Sequence, residues 1–462
     1  MARLAVLVDF GSTYTKAVAV DLARPAIVAR AQHPSTVDTD VTVGLERVLD
    51  TLRREAGGEV ELCLASSSAR GGLRMVAVGL VPELTAEAAR QAALGAGAKV
   101  VKVYSHELTR ADLAEIEGLR PDLLLLAGGT DGGNREVITR NARALAGSAL
   151  AAPVIVAGNR VARDEVLALL EAGGKTCHPT ANVLPELDRL DVEPARAVIR
   201  EVFVRRIVDA KGLDRARGRV DEIIMPTPAA VMQAAQLLSQ GTAGEPGLGD
   251  VMVVDVGGAT TDVHSVAAGA PGEGLVPRGL PEPMAKRTVE GDLGVRVNAH
   301  SVIELAATRE LRPDLAAALR APGARERGDY LAAHTEVLAA SEAERRLDVA
   351  MASACVDIAV ERHVGHVQEA WGIHGPVRLL HGKDLRAVKA LVGVGGVFAY
   401  GAAPWAVLEA ALGRADLPHS LRPAAPLLLQ DAGYVFYAMG LLAAREPDIA
   451  LRLLKQALTR RI

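Results

Sequence analysis

Two acids, each followed by a run of small residues, are where this chain could do chemistry. Asp255 ends the apolar run Val251 to Val254, and Gly257, Gly258, Ala259, Thr260 and Thr261 follow before a second acid, Asp262. Adjacent glycines allow φ > 0 and let successive N–H groups converge. Such a concavity of amides and hydroxyls binds an anion, most often phosphate. A carboxylate beside a phosphate is repulsive unless a cation stands between them. Mg2+ suits the place, because it takes one or two carboxylates, several waters and the phosphates themselves. A Gly-rich β-hairpin with ordinary turn acids accounts for the same residues without a ligand.

The start of the chain has the same grammar. A buried strand, LAVLVDF, ends near Asp9; Gly11, Ser12 and Thr13 make a tight turn; Thr15, Lys16 and AVAV return as a strand. Two such hairpins, far apart in sequence, are expected to face each other across a cleft and hold a triphosphate. One Gly-rich turn is weak evidence. Two matching turns, each with an acid, are much stronger.

These turns need elements to hold them. Thr39 to Arg54 has helical periodicity, and Glu59 to Ala65 reads as a strand ended by Ser66, Ser67 and Ser68. From about Gly71 strands and helices alternate regularly, which predicts a parallel, doubly wound sheet. Ala127 to Asn134, AGGTDGGN, falls at the carboxyl end of one of its strands. It either binds an anion at the next helix N-terminus or is a turn that merely needs glycine. Pro194 to Ala210 is helical, EIIM is a short strand, and a small-residue helix follows Pro226 and Pro228. Gly241 to Gly249 reads as a linker. Beyond the second hairpin, Ala267 to Pro283 is a Gly/Pro-rich excursion and Lys286 to Asn298 a polar one. Ala299 to Glu369 is largely helical by pattern. Strands follow at Val377 to His381 and Ala390 to Phe398, then a strand, turn and helix over Leu427 to Leu442, and a last helix from Ile449 to Arg461.

Composition sets the class. The chain has 462 residues, a formal net charge of −4 and mixed acids and bases. That is enough for two to four domains, and it gives no sign of a nucleic-acid or membrane partner. Cys63, Cys177 and Cys355 lie far apart and match no metal or redox spacing. They read as small buried residues in a reducing, cytoplasmic protein. Ala390 to Leu408 is uncharged, but its glycines and Pro404 fit a strand, turn and helix start better than a membrane span.

The order of motifs resembles the actin/Hsp70/hexokinase ATPase superfamily. VDFGSTYTKAV from Val8 resembles its first phosphate loop and VVDVGGATTDV from Val253 its second. MPTPAAVMQAA from Met225 and DAGYVFYAMG from Asp431 resemble the two connecting helices, and LVGVGGVFAYG from Leu391 the adenosine motif. EGDLGVRVN from Glu290 is similar to the segment after the second phosphate loop in the Hsp70 branch. More narrowly, VLVDFGSTYTKAVAVDL, LLLLAGGTDGGNREV and RTVEGDLGVRVNAHSV resemble the glutamate mutase (methylaspartate mutase) accessory protein family.

The resemblance implies an α/β fold: a two-lobed actin-like ATPase with ribonuclease H-like lobes and an inserted doubly wound α/β domain. Its expected divisions are an N-terminal lobe at 1–70, the insert at 71–213, the lobe continued at 214–248, a C-terminal lobe at 249–428 and closing helices at 429–462. It also implies roles. Asp9 would orient water or Mg2+, and Gly11, Ser12 and Thr13 would donate to phosphate. Asp255 would hold the metal through water, Gly257, Gly258, Thr260 and Thr261 would cradle phosphate, and Asp262 would help position the attacking water. Gly393, Gly395 and Gly396 would lie flat against adenine and ribose. Lys16 has the charge for a β- or γ-phosphate, although a solvated strand lysine is the more common outcome. Glu290 and Asp292 would reach the ribose or metal.

The implied activity is an ATP-dependent, chaperone-like reactivase: Mg·ATP draws the lobes together, and hydrolysis to ADP lets them part. Its partner would be an adenosylcobalamin-dependent mutase holding damaged cobalamin. The insert resembles the cobalamin-binding module of such mutases but lacks an Asp-x-His-x-x-Gly signature, so no cobalamin ligation is expected. It would imitate or displace a mutase subunit, or be a structural lobe only. A small-molecule kinase and an actin-like polymerising scaffold are the alternatives on the same scaffold.

Overall fold

The computed structural model describes residues 3–11, 14–36, 40–67, 73–210, 222–308, 311–372 and 375–461. Ser12 and Thr13 of the first turn lie outside them. The chain divides into two compact units: Met1–Ala230 with Gly279–Pro283, and Val231–Arg278 with Met284–Ile462.

The first unit opens on a hairpin, β1 (Arg3–Phe10) and β2 (Tyr14–Asp21), with β3 (Ala26–Pro34) antiparallel to β2. The helix Val41–Ala56 follows, its N-terminus capped by the Asp40 carboxylate, which accepts from the Thr42 amide. Leu45, Val48, Leu49 and Leu52 are buried at the i, i+3, i+4, i+7 spacing of one helical face. β4 (Glu59–Ser67) then runs parallel to β1. A second sheet is built from β5 (Leu73–Gly79), β6 (Ala98–Ser105), β7 (Leu123–Leu126), β8 (Val154–Val156) and β9 (Cys177–Pro179). Its order is β6-β5-β7-β8-β9, all parallel. Met75, Ala77, Leu123 and Leu125 pack on one face, and Val76, Val78, Leu124 and Leu126 on the other. Burial on both faces is why β7 is an unbroken run of leucines. The chain returns through the helix Glu193–Ala210 to β10 (Glu222–Pro226), parallel to β4. The first sheet is thus β10-β4-β1-β2-β3.

The second unit repeats that plan. β11 (Val251–Val256) and β12 (Thr261–Val266) form a hairpin. β13 (Leu275–Arg278) precedes β14 (Ala285–Glu290), which is antiparallel to β12. The helix Glu342–His363 starts at a capping box between Ser341 and Glu344 and packs one face of the sheet. β15 (His366–Gly372) and β16 (Gly375–His381) pair with each other, and β13 joins them in a small sheet. β17 (Ala390–Val394) runs parallel to β11, and β18 (Leu427–Gln430) parallel to β17. β19 (Thr459–Arg460) completes the order β14-β12-β11-β17-β18-β19.

The series β10-β4-β1-β2-β3 and β18-β17-β11-β12-β14 match strand for strand in order and direction. The fold is therefore the α/β, duplicated-lobe class expected of an actin-like ATPase, with a doubly wound sheet inserted after β4. Several segments depart from the sequence pattern. The helix expected to reach Glu369 stops at His363, and His366 begins a strand paired with β16. The polar stretch from Lys286 begins as strand β14, because Asp262 and His363 bond its Arg287 and Thr288 side chains. The excursion over Ala267 to Pro283 contains β13. The strand expected over Ala390 to Phe398 ends at Val394, and the last helix ends at Ala457. No helix of the described residues is long and apolar enough to cross a membrane.

Candidate phosphate-binding hairpins

In the first unit, Asp9 stands at the carboxyl end of β1, 4% exposed, opposite Ser66 on β4 and Lys16 on β2. The Gly11 amide donates to the Tyr14 carbonyl at 3.0 Å, which closes the turn. A Cβ at Gly11 would come within 2.5 Å of that carbonyl, so the turn admits only glycine. Asp9 Oδ1 accepts from Thr227 Oγ1 at 2.6 Å and from Ser66 Oγ at 3.2 Å. Sequence reasoning used neither hydroxyl. In the sequence Ser66 reads only as a strand terminator and Thr227 only as part of the first connecting helix. Ser67 and Thr15 are fully buried nearby, and their hydroxyls have no partner among the described residues.

In the second unit, the Gly257 amide donates to the Thr260 carbonyl at 2.9 Å, the same closure as in the first hairpin. Asp255 precedes Gly257 by two residues, as Asp9 precedes Gly11. The expectation of φ > 0 at the paired glycines does not hold: neither Gly257 nor Gly258 is among the positive-φ residues. Gly257 is tight, a Cβ there lying 3.1 Å from the Thr260 carbonyl, while Gly258 has ordinary space. The Gly257 carbonyl accepts from the Val295 amide, and the Gly258 carbonyl from Arg296 and Val297. A Cβ on Gly294 would collide with the Ala259 backbone. Asn298 Nδ2 ties the segment down by donating to Ala259 O at 2.6 Å and Gly291 O at 2.9 Å. These bonds turn the carbonyls of the hairpin tip toward residues 294–298. Among the described residues nothing accepts from the Gly258, Ala259 or Thr260 amides. Three successive N–H groups are left for solvent or an anion, and that donor set fits phosphate.

Other expected site residues take more structural positions. Thr261 is buried and its hydroxyl donates to Leu293 O at 2.8 Å. Asp262 lies directly opposite Asp255. Its Oδ1 accepts from Arg287 Nη2 at 2.5 Å and Nε at 2.8 Å, and Thr260 Oγ1 reaches Oδ2 at 3.3 Å. The buried Arg287 thereby compensates the Asp262 charge, which stands opposite a second carboxylate. Glu290 and Asp292 both bind Arg362 on the 342–363 helix. Burial raises the Glu290 pKa, with the Arg362 guanidinium opposing it. Burial works against the charge of Arg362, but the Asp292 and Glu290 carboxylates hold its pKa above the ordinary value.

The three glycines expected to meet adenine and ribose divide. Gly393 is a packing glycine, because a Cβ there would strike the Phe398 ring. Gly395 has φ 102°, and a Cβ would lie 2.7 Å from Asp255 Oδ1. It is the one that brings this loop to the second hairpin. Gly396 is exposed with open space above it.

Among the described residues no group of three or more His, Cys, Asp or Glu is arranged to hold a metal ion. An Mg2+ here would lean on one acid, waters and the phosphates, as that ion commonly does. In the inserted sheet, Gly129 at φ 71° and Gly132 at φ 76° shape the 127–134 loop. Asn159 and Asn182 fasten it by donating to Gly133 O and Gly129 O.

Comparison with known proteins is consistent across the length of the chain. The family model described as MutL protein matches residues 5–458. A curated relative, Protein MutL of Clostridium tetanomorphum, is 46% identical over 467 residues, which cover 98% of this chain and 99% of that protein. Among solved structures, nucleotide-free acetone carboxylase aligns over 96% of this chain and 70% of its own at 15% identity and TM-score 0.40. Component A of the (R)-2-hydroxyglutaryl-CoA dehydratase of Acidaminococcus fermentans aligns over 99% of each chain at 11% identity and TM-score 0.32. Structural likeness of this degree speaks of neither ligand nor partner.

Proposed function

The chain belongs to the MutL protein family, and from that premise we propose that it is an ATP-dependent reactivating factor for an adenosylcobalamin-dependent mutase of the glutamate type. The observation that carries the nucleotide part is the duplicated hairpin. The Gly11 and Gly257 amides make the same closing bond to the carbonyl three residues on, each two residues after an aspartate and each at the carboxyl end of the strand that pairs in parallel with its neighbour. The resemblance of the sequence to glutamate mutase accessory proteins supports the mutase as partner.

In this reading the Gly258, Ala259 and Thr260 amides bind phosphate oxygens. Asp255 holds the metal through water, Asp9 orients water or metal, and Asp262, fixed by Arg287, helps to place the attacking water. Mg·ATP, when bound, supplies the transferable phosphoryl group and neutralises its charge. Phosphoryl transfer asks mainly for positioning and charge neutralisation. A difference in affinity for ATP and ADP between two protein states then drives the partner's rearrangement. The inserted sheet is proposed as the surface that meets the mutase.

Asp255→Asn should keep the fold and lose Mg·ATP turnover; hydrolysis at the wild-type rate would refute the assignment. Co-purification with cobalamin mutases should depend on ATP. A kinase would instead consume ATP only with its acceptor, and a filament-former in step with its own concentration.

A further inference from the structure

The two hairpins differ in what surrounds their first acid, and the difference lies outside the turns. On the second sheet the residue beside Asp255 on the parallel strand is Val394, and the next is Gly395. On the first sheet the same two places hold Ser66 and Ser67. The strand beyond adds a further hydroxyl. β10 ends at Pro226, and Thr227 opens the helix Thr227–Gln240. On the first sheet these hydroxyls gather at Asp9.

We infer that Thr227 and Ser66 are positioning residues for Asp9, and that Thr227 makes the orientation of that carboxylate depend on the first turn of the 227–240 helix. Asp9 Oδ1 takes the Thr227 hydroxyl at 2.6 Å, and Thr227 Oγ1 also lies 3.4 Å from Ser66 Oγ. The two partners are 218 and 57 residues from Asp9 in sequence. A hydrogen bond to a charged acceptor is stronger than one between neutral groups. Turning Asp9 toward a bound phosphate or metal strains or breaks the Thr227 bond, and the helix start registers the change. The division between the two compact units falls inside this helix, after Ala230. A signal entering at Thr227 is therefore already on the segment that carries the chain from one unit into the other.

The inference rests on the reading of Asp9 as an acid of the nucleotide site, and the test separates the two. Full-length wild type, Thr227→Val, Thr227→Ser and Ser66→Ala would be compared in three measurements. These are Mg·ATP turnover, Mg·ADP affinity by calorimetry, and amide exchange across the first turn of the 227–240 helix with and without Mg·ADP. Thr227→Val should bind ADP as wild type does, turn over about tenfold more slowly, and lose the effect of nucleotide on helix exchange. Thr227→Ser should restore all three. Without nucleotide, the same amides should exchange several-fold faster in Thr227→Val than in wild type. Unchanged exchange there overturns the tether whatever the wild type binds. Turnover by Thr227→Val at the rate of a wild type that does hydrolyse ATP overturns the positioning role. A wild type that binds no nucleotide removes the site reading, and the nucleotide-free exchange still decides the tether.

Discussion

At the residue scale, the most consequential side chain outside the hairpin turns is His264. It is fully buried on β12, opposite Arg287, and neither ring nitrogen has a partner among the described residues. Burial first, and the Arg287 guanidinium second, hold its pKa well below the ordinary imidazole range. His363 is held low in the same way, by burial and then by Lys286 and Lys383, while it shares bonds with Thr288 and Ser265. The sign follows from proton counting. As pH falls through about 6.5, the unfolded chain protonates these histidines and the folded chain does not. Stability therefore falls toward acid pH, with a slope that approaches about 1.4 kcal/mol per pH unit below the unfolded pKa for each histidine that stays neutral in the folded chain. His264→Leu should remove one histidine's share of that slope between pH 6.5 and 5 and leave the neutral-pH fold intact. Denaturant melts across that range would show it, and an unaltered slope would exclude His264 as a source.

At the scale of elements, the second hairpin is held by the segment that follows β14 more than by its own glycines. Gly258 has room, since a Cβ there meets nothing closer than Arg296 Cβ at 3.6 Å. Gly294 has none, being pressed against the Ala259 backbone. Gly258→Ala should accordingly cost little stability, whereas Gly294→Ala should destabilise by about 1–3 kcal/mol, as overpacking does. Thermal melts of the two variants test this, and a reversed order would mean that the tip and the 294–298 segment do not touch. The hairpins themselves were legible in the sequence, because a strand, an acid and a Gly-rich turn are local signals. The strand–helix alternation of the insert was legible for the same reason. What holds the hairpins was not. Ser66, Thr227, Arg287 and Asn298 act across 57, 218, 25 and 39 residues. No local spacing records such contacts. β14 is masked in the sequence because Lys286, Arg287 and Thr288 look solvated, yet all three are buried.

At the scale of the whole molecule, the chain has two compact units with separate apolar cores. Separate cores favour separate cooperative transitions. Scanning calorimetry of the nucleotide-free protein should resolve more than one unfolding step, and Mg·ADP should shift at least one upward by mass action. A single transition with equal calorimetric and van't Hoff enthalpies would contradict that independence. The matched strand series has one more consequence. Asp9 pairs with Lys16 across the first hairpin as Asp255 pairs with Asp262 across the second, so each hairpin serves as a natural variant of the other. Cassettes exchanged between them within one gene would separate what the shared scaffold demands from what each copy has since acquired.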